Sequence, residues 1–123
     1  MKILICGDRN YTDKERIRKV IISYSYGANL IVIEGGAKGA DTLAREICEE
    51  LAIPFKEYKS EWAKYGKAAG PIRNKLMLDD NPEIELVIAF HNNIEESKGT
   101  KNMVEQAKER GINVIIKGEN DES

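Results

Sequence analysis

Features that would tie a chain to a membrane, an oxidising compartment or a metal centre are scarce in this sequence. No apolar run approaches the ~20 residues that cross a bilayer, so no membrane partner is expected. The opening Met-Lys-Ile-Leu-Ile-Cys-Gly-Asp-Arg becomes charged too soon for a secretory leader. There are two cysteines in 123 residues. Cys6 falls in an expected strand and Cys48 on an expected apolar helix stripe, which reads as buried free thiols in a reducing cytoplasm. One histidine and two separated cysteines give no zinc ligand set, and neither metal nor cofactor is expected. A net charge of −2 supplies no bulk attraction for nucleic acid. What remains is 41% hydrophobic and 33% charged, the balance of a soluble globular domain.

Strand-like and helix-like stretches alternate along the chain. Residues 2–6, 30–33, 54–58, 86–90 and 112–116 read as strands. Thr12 and Glu15 have capping-box spacing before Ile17, Val20, Ile21 and Tyr24 recur at helical intervals, with Gly27 as the stop. Ala40, Leu43, Ala44, Ile47, Cys48 and Leu51 form a second stripe. A third helix is expected over 71–78, with Pro71 in its first turn, and a fourth over 100–110. From Gly118 the chain is polar and acidic, a frayed tail over 118–123 after a domain over 1–117. The expected fold class is α/β: a single Rossmann-like three-layer domain with a five-stranded parallel sheet in the order 3-2-1-4-5.

The segment 30–41, Leu-Ile-Val-Ile-Glu-Gly-Gly-Ala-Lys-Gly-Ala-Asp, carries the clearest functional signal. Glycines between a strand and a helix let backbone N–H groups face an anion, and the helix start adds partial positive charge. The spacing is neither a Walker loop nor the dinucleotide fingerprint. A tight turn that needs glycine only for its dihedrals is the plainer alternative.

In the expected sheet, ligands bind beyond the carboxyl ends of the strands, near the switch between strands 1 and 4. Three polar turns meet there: Gly7, Asp8, Arg9 and Asn10; Glu34, Gly35 and Gly36; and His91, Asn92 and Asn93, followed by Ser97, Lys98, Gly99 and Thr100 at a helix start. The stretch 56–75 adds Lys56, Lys59, Lys64, Lys67, Arg73 and Lys75 against Glu57 and Glu61, together with Trp62 and Tyr65. Read as a long loop, it offers cations for phosphates and aromatics for a base, or simply a solvated basic surface. Arg73 falls near a helix start, where a guanidinium can hold a phosphate through two bonds.

Four motifs in order, Gly7-Asp8-Arg9, Glu34-Gly35-Gly36-Ala37-Lys38-Gly39-Ala40-Asp41, Gly70-Pro71-Ile72-Arg73-Asn74 and Ser97-Lys98-Gly99-Thr100, resemble the SLOG superfamily, in particular its YspA-like branch. The superfamily also holds cytokinin-activating phosphoribohydrolases and the DNA-processing protein A. The resemblance implies a Rossmann-like domain that binds nucleotides or NAD- or ADP-ribose-like molecules, including signals used in bacterial and phage conflict systems. It places ligand contacts at Gly7, Asp8, Arg9, Gly35, Gly36, Lys38, Gly39, Asp41, Arg73, Asn74, Ser97, Lys98, Gly99 and Thr100. Gly99 and Thr100 match the hydrolases' phosphate motif, and Arg73 is a counterpart of their catalytic arginine. Met103 stands where those enzymes carry a catalytic glutamate, and it cannot move a proton.

Two function classes follow. One is a sensor, carrier or sequestering protein for a nucleotide-like small molecule. The other is a hydrolase that cleaves an N-glycosidic bond with substitute groups, for which Glu34, Asp41 and His91 are the candidates. Nucleic-acid binding is a third class, disfavoured by net acidity. Tyr24, Tyr26 and Trp62 serve a core or a homo-oligomer interface equally well.

Overall fold

A computed structural model describes residues 1–27 and 29–119. Five strands, β1 (Lys2–Gly7), β2 (Ile31–Glu34), β3 (Phe55–Glu57), β4 (Ile84–Phe90) and β5 (Asn113–Lys117), form one parallel sheet ordered β3-β2-β1-β4-β5. This is the order expected from right-handed crossovers on a doubly wound sheet. β1 lies at its centre, with Leu4 opposite Ile33 on one side and Val87 on the other.

Strand alternation divides the core in two. Ile3, Ile5, Val32, Ile88 and Phe90 pack with Ile17 of α1 (Lys14–Ser25) and with Ala44 and Ile47 of α2 (Ala40–Leu51). Leu4, Ile33 and Val87 pack on the opposite face with Met77 and Leu78 of α4 (Ala69–Asp80) and Met103, Val104 and Ala107 of α5 (Gly99–Glu109). Both faces of the sheet are therefore covered, as a parallel sheet requires. Among the described residues no helix is long and apolar enough to cross a membrane. Cys6 and Cys48 are buried free thiols.

Three expectations are corrected. The first helix is capped by Asp13, whose side chain accepts from Arg16 N–H at 3.1 Å, and not by Thr12. Thr12 instead donates through its N–H and Oγ1 to Glu119 at 2.8 and 3.1 Å. The tail is thus fastened at its start: Gly118 is buried and Glu119 N–H donates to Asn92 Oδ1 at 2.7 Å, while 120–123 lie outside the described residues. The stretch after β3 is not a long loop. It folds as a one-turn helix, α3 (Trp62–Tyr65), and a 3-10 turn (Gly66–Ala68) that runs directly into α4.

Candidate functional site

A cavity of about 710 Å³ opens beyond the carboxyl ends of the strands. Its walls come from residues 7–10 after β1, 35–38 and Asp41 after β2, Lys59, Ser60 and Trp62 after β3, Gly70, Arg73 and Asn74 on α4, His91 after β4, and 96–100 with Met103 at α5. Gly7, Asp8, Arg9, Gly35, Gly36, Lys38, Asp41, Arg73, Asn74, Ser97, Lys98, Gly99, Thr100 and His91 are therefore brought together around one space. Gly39 and Glu34 are not. Gly39 borders a shallower hollow of about 430 Å³ on the other side of Arg9, which it shares with Thr12 and Thr42.

The glycine turn corrects a fourth expectation. Its N–H groups do not face the cavity as an open anion cradle. Gly35 and Ala37 N–H donate to Asp41 Oδ2 at 3.0 and 3.3 Å, and Gly36 N–H donates to Glu34 Oε1 at 2.6 Å. The turn is closed on the protein's own carboxylates. Gly39 serves packing: it sits at φ +81°, and a Cβ there would strike the backbone of Asp8 and Arg9. That close approach lets Ala40 N–H donate to Asp8 O at 3.2 Å and docks the start of α2 on β1.

Burial sets the protonation of both carboxyl groups. Glu34 is wholly buried and is pushed up to about 9, first by desolvation and then by hydrogen bonding to Glu57. With both groups ionised, Glu34 Oε2 is a buried acceptor with no donor. A proton on it supplies the missing bond to Glu57, which itself faces Arg45 at 3.4 Å and Lys59 at 3.6 Å. Desolvation raises Asp41 to about 6, against the pull of Arg73 and the Ala37 and Gly35 amides. The Cys6 thiol at the cavity wall is raised by burial, which leaves it protonated and inert.

Arg73 points into the site and ties it together. Its Nη1 donates to Gly35 O and, at 3.4 Å, to Tyr58 O, and its Nε donates to Asn74 Oδ1 at 2.9 Å. Asn74, 3% exposed, passes the connection on through Nδ2 to Gly99 O at 3.2 Å and Asn102 Oδ1 at 3.1 Å. One chain of hydrogen bonds thus runs from the glycine turn through α4 to the start of α5. At that start Ser97 Oγ accepts from Thr100 N–H at 3.0 Å.

His91 Nδ1 accepts from Asn93 N–H at 2.9 Å, so in the neutral ring the proton sits on Nε2, 4.0 Å from Asp8 Oδ2. In this tautomer Nε2 is the donor of the ring.

A family model described as YAcAr, the YspA, cpYpsA-related SLOG family, matches residues 1–65. The chain belongs to this family. Among similar proteins, the Gene 61 protein of Mycobacterium phage D29 is 26% identical over 125 residues, covering 96% of this chain and 97% of that protein. The solved structure of DNA processing protein A (DprA) from Streptococcus pneumoniae superposes with a TM-score of 0.72 over 94% of this chain at 19% identity, a likeness of fold. The chain spans 49% of that structure's length. The YAcAr match runs from β1 through α3, and the α4 and α5 walls of the cavity lie beyond it.

Ser60, Ala37 and Glu96 line the cavity without having been expected as ligand contacts. Ser60 carries no motif. Ala37 matters through its amide. Glu96 belongs to a 3-10 turn (Ile94–Glu96) that gives no periodic signal.

Proposed function

We propose that this cavity binds the phosphate of a nucleotide or nucleotide-derived molecule, and that the protein acts as a sensor, carrier or sequestering protein for it. The observation that carries the reading is a set of uncommitted cations. Arg9, Lys38 and Lys98 all line the cavity and are exposed, and none forms an ion pair with a described residue. They stand with the N-terminus of α5, where Ser97 Oγ and Lys98 O take up the Thr100 and Asn102 amides and the helix start itself favours an anion. A cavity of this size suits a nucleoside phosphate. The binding unit is residues 1–117, with Arg9, Lys38, Ser97, Lys98, Gly99 and Thr100 as direct contacts, and with Gly35, Gly36, Gly39, Asp41, Arg73 and Asn74 building the frame behind them.

A second reading is a hydrolase. Asp41, a cavity-lining carboxyl raised to about 6, favours it, because that value suits proton transfer near neutrality. Met103, 1% exposed at the wall, weighs against the phosphoribohydrolase route.

The test is a thermal-shift series with nucleoside monophosphates, NAD, ADP-ribose, cyclic dinucleotides and a single-stranded oligonucleotide, each followed by chromatography. Binding to the native state raises Tm. A rise with a nucleotide, lost in Arg9→Ala and Lys98→Ala, supports the binder. Multiple-turnover release of free base, lost in Asp41→Asn, establishes the hydrolase. A shift with the oligonucleotide alone establishes a nucleic-acid binder, the class to which the name DNA processing protein A also points.

A further inference from the structure

We infer that Trp62 is the nucleobase platform of this cavity, so that its ligand is selected for a base and not for phosphate alone. The inference rests on the nucleotide reading above. Trp62 is the chain's only tryptophan, and it is 61% exposed. No packing demand explains it, since α3 buries none of its own residues. The indole nevertheless has one neighbour to lean on. It lines the cavity, and its Cη2 lies 3.7 Å from where a Cβ on Gly70 would stand. The ring edge thus rests on the bare start of α4 and leaves most of its surface open to an incoming group.

The neighbours sharpen this choice. Lys59 lines the same rim, with its side chain 77% exposed and its ammonium only 3.6 Å from Glu57 Oε1. A flat aromatic surface on the same wall as an exposed lysine suits a base joined to phosphate. The uncommitted cations Arg9, Lys38 and Lys98 belong to other segments of the wall, after β1, after β2 and at α5. The cavity therefore has an aromatic wall after β3 and cationic walls elsewhere, which is the polarity of a nucleotide. Every base has a π face, so stacking alone selects for a base without choosing among bases.

The sole tryptophan reports on the site directly. Titrate the full chain with adenosine, guanosine, cytidine and uridine 5′-monophosphates and with ribose 5-phosphate. Follow indole fluorescence and, in parallel, heat by calorimetry. The expected result is fluorescence quenching by at least one of the nucleotides and none by ribose 5-phosphate. Trp62→Ala should weaken that nucleotide roughly ten- to a hundredfold, the usual worth of one base stack, and leave ribose 5-phosphate within about twofold. Trp62→Phe should recover most of the loss. If nucleotide and ribose 5-phosphate bind equally and neither changes the fluorescence, the platform is overturned while the phosphate reading stands. If neither binds by calorimetry, the phosphate reading falls and the platform falls with it.

Discussion

Two turns in this molecule lead from a strand toward a helix at the same end of the sheet, and they end in opposite electrostatic states. The turn from β2 to α2 has the glycines, yet the amides of Gly35, Gly36 and Ala37 are spent on Asp41 and Glu34. The approach to α5 has one glycine, and it opens beside Lys98 with no carboxylate bonded to its backbone among the described residues. A glycine-rich turn is therefore an anion site only where its donors lack an internal partner. In this chain both turns border the cavity, but the amides of the richer motif are committed to the protein's own carboxylates.

The largest expected effect separates the two turns by stability. Gly39→Val places a branched side chain at φ +81° against the Asp8 and Arg9 backbone. It should cost on the order of 4 kcal/mol or unfold the domain. Gly99→Ala meets nothing within 4 Å and should change stability by less than about 0.5 kcal/mol. Urea melts of the two variants test the contrast, and equal losses would remove it.

Next in size is Arg73→Ala. Because Nη1 and Nε are committed to Gly35, Tyr58 and Asn74, the guanidinium holds the two turns in register. Its loss should cost about 2–3 kcal/mol of stability. Arg73→Lys should recover less than half, since an ammonium cannot bridge the same three acceptors. A wild-type melt with selectively weakened nucleotide binding would instead make Arg73 a direct ligand contact.

A third effect is a pH dependence confined to the closed turn. Glu34 has its folded pKa raised from 4.5 to about 9, so the folded protein holds a proton that the unfolded chain releases. This contribution is complete below about pH 4.5 and drains away as pH rises toward 9. Asp41, raised from 3.8 to about 6, adds loss of the same sign between those values. Glu34→Gln keeps an acceptor for Gly36 and a donor for Glu57, and removes the titration. It should melt like wild type near pH 4 and higher than wild type at pH 8, with the gap widening as pH rises. An unchanged wild-type Tm across that range would refute the protonated Glu34.

Much of this architecture was legible. Alternation in β1 and β4, helical stripes in α2 and α5, and the strand order all follow from apolar spacing, and the three polar turns did converge. Glu34 was legible in part: it shares the parity of Val32, which points it at α2 and into the core. Nothing local announced that Asp41 turns back onto the loop, because an acidic residue in a first helical turn looks the same whether it meets solvent, a helix dipole or its own backbone. The α3 segment was hidden because four residues show no period and bury nothing. The Thr12 cap failed by one residue because Asp13 competes for the same role and Glu119, distant in sequence, claims Thr12.

The central position of β1 also governs how the chain can be made. Its first partner, β2, begins at Ile31, but Lys2 on its other side waits for Ile84. During synthesis the middle of the sheet is therefore a temporary border, with a row of unpaired amides and carbonyls on an almost wholly apolar strand. A nascent chain halted after residue 65 would hold three strands with β1 as a raw edge, which is a sticky surface for any other copy on the same message. Chaperone demand should thus peak between completion of β3 and emergence of β4, and fall abruptly once residues 84–90 leave the ribosome.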